Sequence, residues 1–183
     1  MAATIEQIAA FLKAEGLDFK IDGDIIRTWF RAHNYRDADG DTSVGLIIRL
    51  EENGEFLKIM APTVYRYSDG PYKAALFQVL LMVSWDTKMI QYEYDVRVGE
   101  VRANIEFPLE DSSLTQKQLM RCLHSIAGIV DENHGKVVAV MERGELPEAD
   151  DGDMGELWLE FQEFLEHKKR AAGGADDGHG LPG

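Results

Sequence analysis

The chain has 183 residues, 45% of them apolar, and a formal net charge of −14. That length suits one domain with extensions, and the apolar share is enough for a real core. The charge argues against nucleic acid, whose phosphates need clustered Lys and Arg, and against an anionic membrane surface.

The single cysteine, Cys122, cannot close an internal disulfide. Nothing therefore suggests an oxidised, secreted framework. The opening MAATIEQIAAFLKAEG has no basic stretch before its apolar residues and carries Glu6 and Glu15, so it does not read as a signal peptide. The longest apolar run, ALFQVLLMVSW, falls far short of the roughly 20 residues of a membrane span. These features predict a soluble cytoplasmic protein.

The first predicted element is a helix. Thr4 and Gln7 form a T-x-x-Q capping box, Ile5, Ile8 and Leu12 share a face flanked by Phe11, and Gly16 suits the position after the C-cap. In LDFKIDGDIIRTWF, Asp22-Gly23 signals a two-residue hairpin. That turn pairs Phe19 with Ile26, Leu17 with Thr28 and Asp18 with Arg27. Leu17, Phe19, Ile26 and Phe30 then face the core, and Ile25, Arg27 and Trp29 face away.

RDADGDTS follows and resembles a calcium loop, with Asp37, Asp39 and Asp41 at the first, third and fifth positions. The sharp bend needs Gly at the sixth position and the bidentate ligand needs Glu at the twelfth; Thr42 and Ile48 stand there. Ile48 also belongs to an alternating strand pattern. The stretch reads as a connecting turn.

Asn53-Gly54 predicts a second hairpin, pairing Leu50 with Leu57, Ile48 with Ile59 and Leu46 with Ala61. Its opposite face carries Ile47, Arg49, Phe56, Lys58 and Met60. YSDGPYKAALFQVLLMVSW starts a helix, with Ser68 or Asp69 as cap and Pro71 in the first turn. Its apolar residues run nearly all round, which predicts a buried central helix.

QYEYDVRVGEVRANIEF reads as a third hairpin around Gly99-Glu100, pairing Val98 with Val101, Tyr94 with Ile105 and Tyr92 with Phe107. Its other face, with Glu93, Asp95, Arg97, Arg102, Asn104 and Glu106, is expected in solvent. Thr115 and Gln118 form a capping box, with Leu114 stapled to Leu119, at the head of a helix carrying Leu119, Leu123, Ile126, Val130, Val137 and Met141 on one stripe. Gly135 is a candidate break.

A domain over residues 1–147 is expected to end at Leu146-Pro147. Residues 148–155 read as an acidic linker, 156–170 as an amphipathic helix and 171–183 as a disordered tail. From Glu148 onward there are 10 acidic and 3 basic residues, half of the net charge. Leu157, Trp158, Phe161, Phe164 and Leu165 give the tail helix an apolar face. Such a short helix is marginal alone in water, so that face is expected to dock on protein.

No catalytic constellation is apparent. Cys122 and His124 are two apart on a helix and point to different faces. His33, His124, His134, His167 and His179 lack ligand spacing, and no phosphate-binding glycine loop occurs. The sequence predicts no catalytic residue, metal or cofactor.

The order helix, strands, helix, hairpin, long helix is similar to the YbjN-like family, which shares its fold with the chaperones of type III secretion. The stretches ALFQVLLMVSW, QYEYDVRVGEVRANIEFPLED and SLTQKQLMRCLHSIAGIVDEN carry the resemblance. The features within them are the tyrosine-rich strand Tyr92 to Asp95, the turn Val98 to Val101, Phe107-Pro108 and Leu114-Thr115. Where family members often have Asn near the end of the central helix, this chain has Ser84 and Asp86. The resemblance covers Thr4 to Met141. It implies an α+β fold, an antiparallel sheet of hairpins with helices on one face, and a non-catalytic protein-binding domain of chaperone or adaptor type, with homodimerisation left open. The expected contact residues are Ile25, Trp29, Ile47, Phe56 and Met60 on the outer sheet face and the five of the tail helix. The alternative is an enzyme or small-ligand protein using a cleft between sheet and helices.

Overall fold

The computed structural model describes residues 2–148 together with Gln162, Glu163 and Leu165. The chain divides into two units, Met1–Pro147 and Glu148–Gly183. The first runs α1 (Ile5–Ala14), β1 (Phe19–Asp22), β2 (Ile25–Arg31), β3 (Ser43–Glu51), β4 (Phe56–Arg66), α2 (Lys73–Asp86), β5 (Gln91–Asp95), β6 (Glu100–Pro108) and α3 (Gln116–Arg143). The architecture is α+β, as the sequence predicts. One antiparallel sheet in the order β1-β2-β3-β4-β6-β5 has the helices against one face, and β6 inserts between β4 and β5, leaving β5 at an edge. Ile48, Ile59, Ile105, Leu119, Leu123 and Ile126 are fully buried between sheet and helices. Each such side chain stabilises the fold by about 1.5–3 kcal/mol relative to exposure.

Thr4 caps α1, its hydroxyl accepting from the Gln7 N–H at 3.1 Å. The reciprocal half of the expected box is absent, because the Gln7 amide donates instead to the Leu114 carbonyl at 3.3 Å. The helix leaves through a Schellman motif: Leu17 N–H meets the Leu12 carbonyl at 3.0 Å, Gly16 N–H meets that of Lys13 at 3.1 Å, and Gly16 sits at φ +70°.

The second hairpin pairs as predicted, Leu50 with Leu57 and Ile48 with Ile59. The other two turn elsewhere. In the first, Phe19 pairs with Thr28 and Ile21 with Ile26, so the loop is Gly23-Asp24. Gly23 at φ +62° takes the first loop position, whereas the predicted loop places Asp22 there, where hairpin turns require a positive φ. The expected Asp18–Arg27 pair gives way to Arg27–Asp22 at 2.9 Å. In the third hairpin, Tyr94 pairs with Val101 and Tyr92 with Ala103, around a four-residue loop from Val96 to Gly99. The Asp95 carboxylate accepts the Arg97 N–H at 2.9 Å, and the Asp95 carbonyl accepts that of Gly99 at 2.8 Å. Both differences shift the pairing by an even number, so Phe19, Ile26, Tyr92 and Tyr94 keep the faces the sequence assigns them.

β4 bulges between Ala61 and Tyr65. Pro62 cannot donate to the ladder there, and the Thr63 N–H and hydroxyl both donate to the Glu100 carboxylate at 3.0 Å. α2 begins at Lys73 with Tyr72 before it and no side-chain cap, so the cap position falls beyond the expected Ser68 or Asp69. The Ser68 carbonyl serves instead as acceptor for the Lys73 ammonium at 3.1 Å. α3 has the predicted Thr115–Gln118 capping box and runs unbroken through Gly135 to a left-handed Gly144.

Candidate protein-interaction surfaces

The hairpin registers place Ile25, Trp29, Ile47, Phe56 and Met60 on the sheet face away from the helices. Ile25 and Trp29 are the diagonal neighbours of Ile47 on this face, with Arg27 between them. Ile47 and Met60 lie directly opposite each other, but Ile25 faces Arg49, Trp29 faces Gly45, and Phe56 faces Glu51 and Pro108. Arg27, Arg49 and Lys58 interrupt the apolar positions, and Lys58 pairs with Glu106 at 2.7 Å. Only Trp29 of the five is strongly exposed, at 41%. Asn104, expected in solvent, is fully buried between Met60 and Gln91. Glu93 beside it is pushed up by burial, but Arg102 bonds the carboxylate and holds its pKa below the usual range. Of the predicted tail contacts, Leu157, Trp158, Phe161 and Phe164 lie outside the described residues, as do the linker from residue 149 and residues 171–183; Leu165 is helical and exposed.

The larger exposed apolar surface is on α2. Leu76, Val79, Leu80 and Val83 bury one side of this helix. Phe77, Leu81 and Trp85 follow at four-residue spacing on the other, with Leu81 71% and Trp85 58% exposed. The predicted all-round burial is therefore corrected: an apolar circumference shows only that a helix could be covered all round. Beside the stripe a groove of about 400 Å³ lies between α2 and β5, lined by Phe77, Leu80, Leu81, Tyr92, Tyr94 and Val96. The Phe77 and Tyr94 rings meet edge to face at 4.9 Å. The Lys73 ammonium stands 4.8 Å from the Tyr94 ring centre, and the Tyr94 hydroxyl donates to the Tyr67 carbonyl at 2.8 Å. These contacts fix one wall. At its end, Val96 and Val98 are 76% and 48% exposed, since the longer loop takes them out of the ladder. β5 pairs only with β6 among the described residues, which puts it at the edge of the sheet.

Two further clefts have polar linings, though the buried Tyr65 hydroxyl and His134 Nδ1 near the second have no hydrogen-bond partner among the described residues. A cleft of about 430 Å³ is lined by the Glu93–Arg102 and Asp95–Arg97 pairs. Hydrogen bonds from Arg97 pull Asp95 down to about 2. A wider cleft of about 700 Å³ borders the acidic turn, where one Asp37 oxygen already accepts the N–H groups of Asp39 at 2.9 Å and Asp41 at 2.8 Å. Tyr35 at its rim donates to the Val64 carbonyl at 3.1 Å, and burial, aided by Asp37 and Asp41, pushes its phenol up to about 12. Cys122 is buried, which raises its thiol pKa and keeps the nucleophilic thiolate scarce. His124 lies against the Phe30 ring at 5.1 Å. No three His, Cys, Asp or Glu side chains converge among the described residues as a metal site requires, and no described helix is long and apolar enough to cross a membrane.

Sequence reasoning missed Leu81, Trp85 and Val96. The signal available was the four-residue spacing of Phe77, Leu81 and Trp85, masked by equally apolar residues on the buried side.

No family model matches the sequence. No curated protein matches it significantly. Solved structures do. YbjN of E. coli, described as a candidate transcription regulator, is 10% identical with a TM-score of 0.54, over 74% of this chain and 94% of that one. An uncharacterised protein from Methanothermobacter thermautotrophicus is 12% identical with a TM-score of 0.44, over 78% of this chain and 99% of that one. The chain has the YbjN-like fold.

Proposed function

We propose that the chain is a non-catalytic protein-interaction module of adaptor or chaperone type, and that the α2–β5 surface is its principal contact face. The observation that carries this is the exposure of Leu81 and Trp85 on α2 beside the edge strand β5. Contiguous exposed apolar surface of this kind marks contact sites, and Trp is enriched where binding energy concentrates. The mixed face around Trp29, Ile47 and Met60 is a second, weaker surface, in which charged neighbours suit the rim of a contact. The structural neighbour from E. coli is described as a candidate regulator of transcription. With a net charge of −14, any such role for this chain runs through protein contacts, not DNA phosphates.

A photo-crosslinking residue placed at Leu81, and in parallel at Trp29 and at the solvent-facing Lys20, tests the reading in the cells that make the protein. Adducts at position 81, fewer at 29 and none at 20 are expected. Absence of protein adducts at both 81 and 29 sinks the reading. The groove volume also lies in the range of small-ligand sites, and an apolar ligand that protects position 81 from crosslinking would favour that second reading.

A further inference from the structure

We propose that residues 33–41, between β2 and β3, form a strap that the neutral His134 ring holds shut and that mild acid releases, widening the cleft beside Tyr65. This regulation lies outside the α2–β5 reading and stands or falls without it.

The strap is a single excursion with a closed base. The Ala32 N–H donates to the Thr42 carbonyl at 2.8 Å, so the residues between them can lift as one loop. α3 holds the strap from two positions three residues apart, which share a helix face. Asp131 accepts the backbone N–H groups of His33, Asn34 and Tyr35. His134 lies between two phenol rings: Tyr35 of the strap meets it edge to face at 5.1 Å, and Tyr65 of β4 stacks on it at 5.9 Å and 17°. The Tyr35 hydroxyl completes the closure on the Val64 carbonyl. Closed in this way, the strap supplies Tyr35, Asp37 and Asp41 to the cleft of about 700 Å³, opposite Val64 and Tyr65.

The His134 site suits a neutral ring and not a charged one. Its Nδ1 is buried and has no hydrogen-bond partner among the described residues. A neutral imidazole accommodates that by carrying its one hydrogen on Nε2. The charged ring carries a hydrogen on both nitrogens, and the Nδ1–H would then have no acceptor. The groups facing the ring come from three elements. Tyr35 and Tyr65 keep their phenols protonated, since burial raises both. Arg36 brings a second positive charge, its guanidinium donating to the His33 and Tyr35 carbonyls at 3.0 and 2.7 Å. Asp131 favours the imidazolium, but its carboxylate is committed to the strap. Burial first, then Arg36, outweigh Asp131 and hold the His134 pKa below its ordinary value.

Lifting the strap removes Arg36 and the Tyr35 ring, and His134 returns towards the ordinary value of about 6.5. Opening therefore takes up a proton. A depressed pKa in the closed state means that closure is fully favoured above about 6.5 and weakens as the pH falls from there through the closed-state value. The Asp131 carboxyl, itself held below the usual carboxylate range, stays charged over that window.

Amide exchange of the full chain, resolved residue by residue by NMR from about pH 7.5 to about 5.5 and corrected for the intrinsic rate at each pH, tests the proposal. Protection at His33, Asn34 and Tyr35 should fall about five-fold, while that of β6 stays level. His134→Phe keeps a ring in the stack without a titrating nitrogen and should hold the strap amides level as well. The His134 ring signals of the unaltered protein should titrate below about 6.5, a readout that does not depend on the variant folding. Strap protection indifferent to pH overturns the proposal. So does a loss shared equally by β6, a pH slope undiminished in His134→Phe, or a His134 that titrates at its ordinary value or higher.

Discussion

At the scale of single residues, Asp131, Gly54 and Asp37 set the loops. Asp131 on α3 ties down the segment after β2, accepting backbone N–H groups from His33 at 3.0 Å, Asn34 at 2.6 Å and Tyr35 at 2.8 Å. Burial pushes its carboxyl up, but those three bonds outweigh it and hold the pKa below the usual range. A depressed folded pKa means the contribution is complete above the unfolded value of about 3.9 and is lost as pH falls through the folded value. Asp131→Ala should therefore cost about 1–2 kcal/mol at neutral pH, with that difference shrinking in acid; urea unfolding of both proteins across pH reads it. Gly54, at φ +92°, is irreplaceable for a different reason. A Cβ there would be driven into the Ala3 carbonyl oxygen, whose own residue donates to Gly54 at 2.8 Å. Gly54→Ala should cost about 2–3 kcal/mol by the same measurement. Asp37 spends one carboxylate oxygen on two backbone N–H groups, so calorimetric titration with calcium should show no micromolar site.

At the scale of elements, what was legible depended on whether a signal was local. The α3 cap was readable because Thr115 and Gln118 satisfy each other within one turn. The α1 box was only half readable, because the Gln7 amide finds Leu114 across the fold. Strand faces were legible throughout: alternation survives any even shift in pairing. Turn positions were legible only in the second hairpin. Gly99 suits both a two-residue and a four-residue loop, and the choice falls to the Asp95 carboxylate and carbonyl. That choice moves Val96 from a strand to an exposed turn beside the groove, so the error mattered most where the candidate site lies. α2 shows the same limit, since an apolar circumference does not say which side has a partner. In α3, Gly135 sits mid-helix with open space where a Cβ would go. Gly135→Ala should stabilise by about 0.5–1 kcal/mol, as the favourable helix propensity of alanine is gained without a clash. A lower thermal midpoint instead would mean that the helix opens there.

At the scale of the whole molecule, charge and core are unevenly divided. Every buried core residue among those described falls between Ala3 and Val140, while half of the net charge follows Pro147. The first unit thus has a core of its own, built on one sheet and the helices along one of its faces. A chain ending at Glu148 should unfold cooperatively, with a thermal midpoint within about 2 °C of the full protein, since no described core contact is removed. Its behaviour towards partners is a separate matter. Removing residues 149–183 takes away six net negative charges, whose field reaches only about one Debye length, roughly 10 Å at 0.1 M salt. If α2 is the contact face, truncation should leave crosslinking from position 81 unchanged at high salt. If instead the apolar residues between Leu157 and Leu165 hold the contact, truncation should reduce capture at every salt concentration. Crosslinking of both chains at two ionic strengths separates these outcomes, and loss of adducts at high salt would transfer the contact from α2 to the later residues.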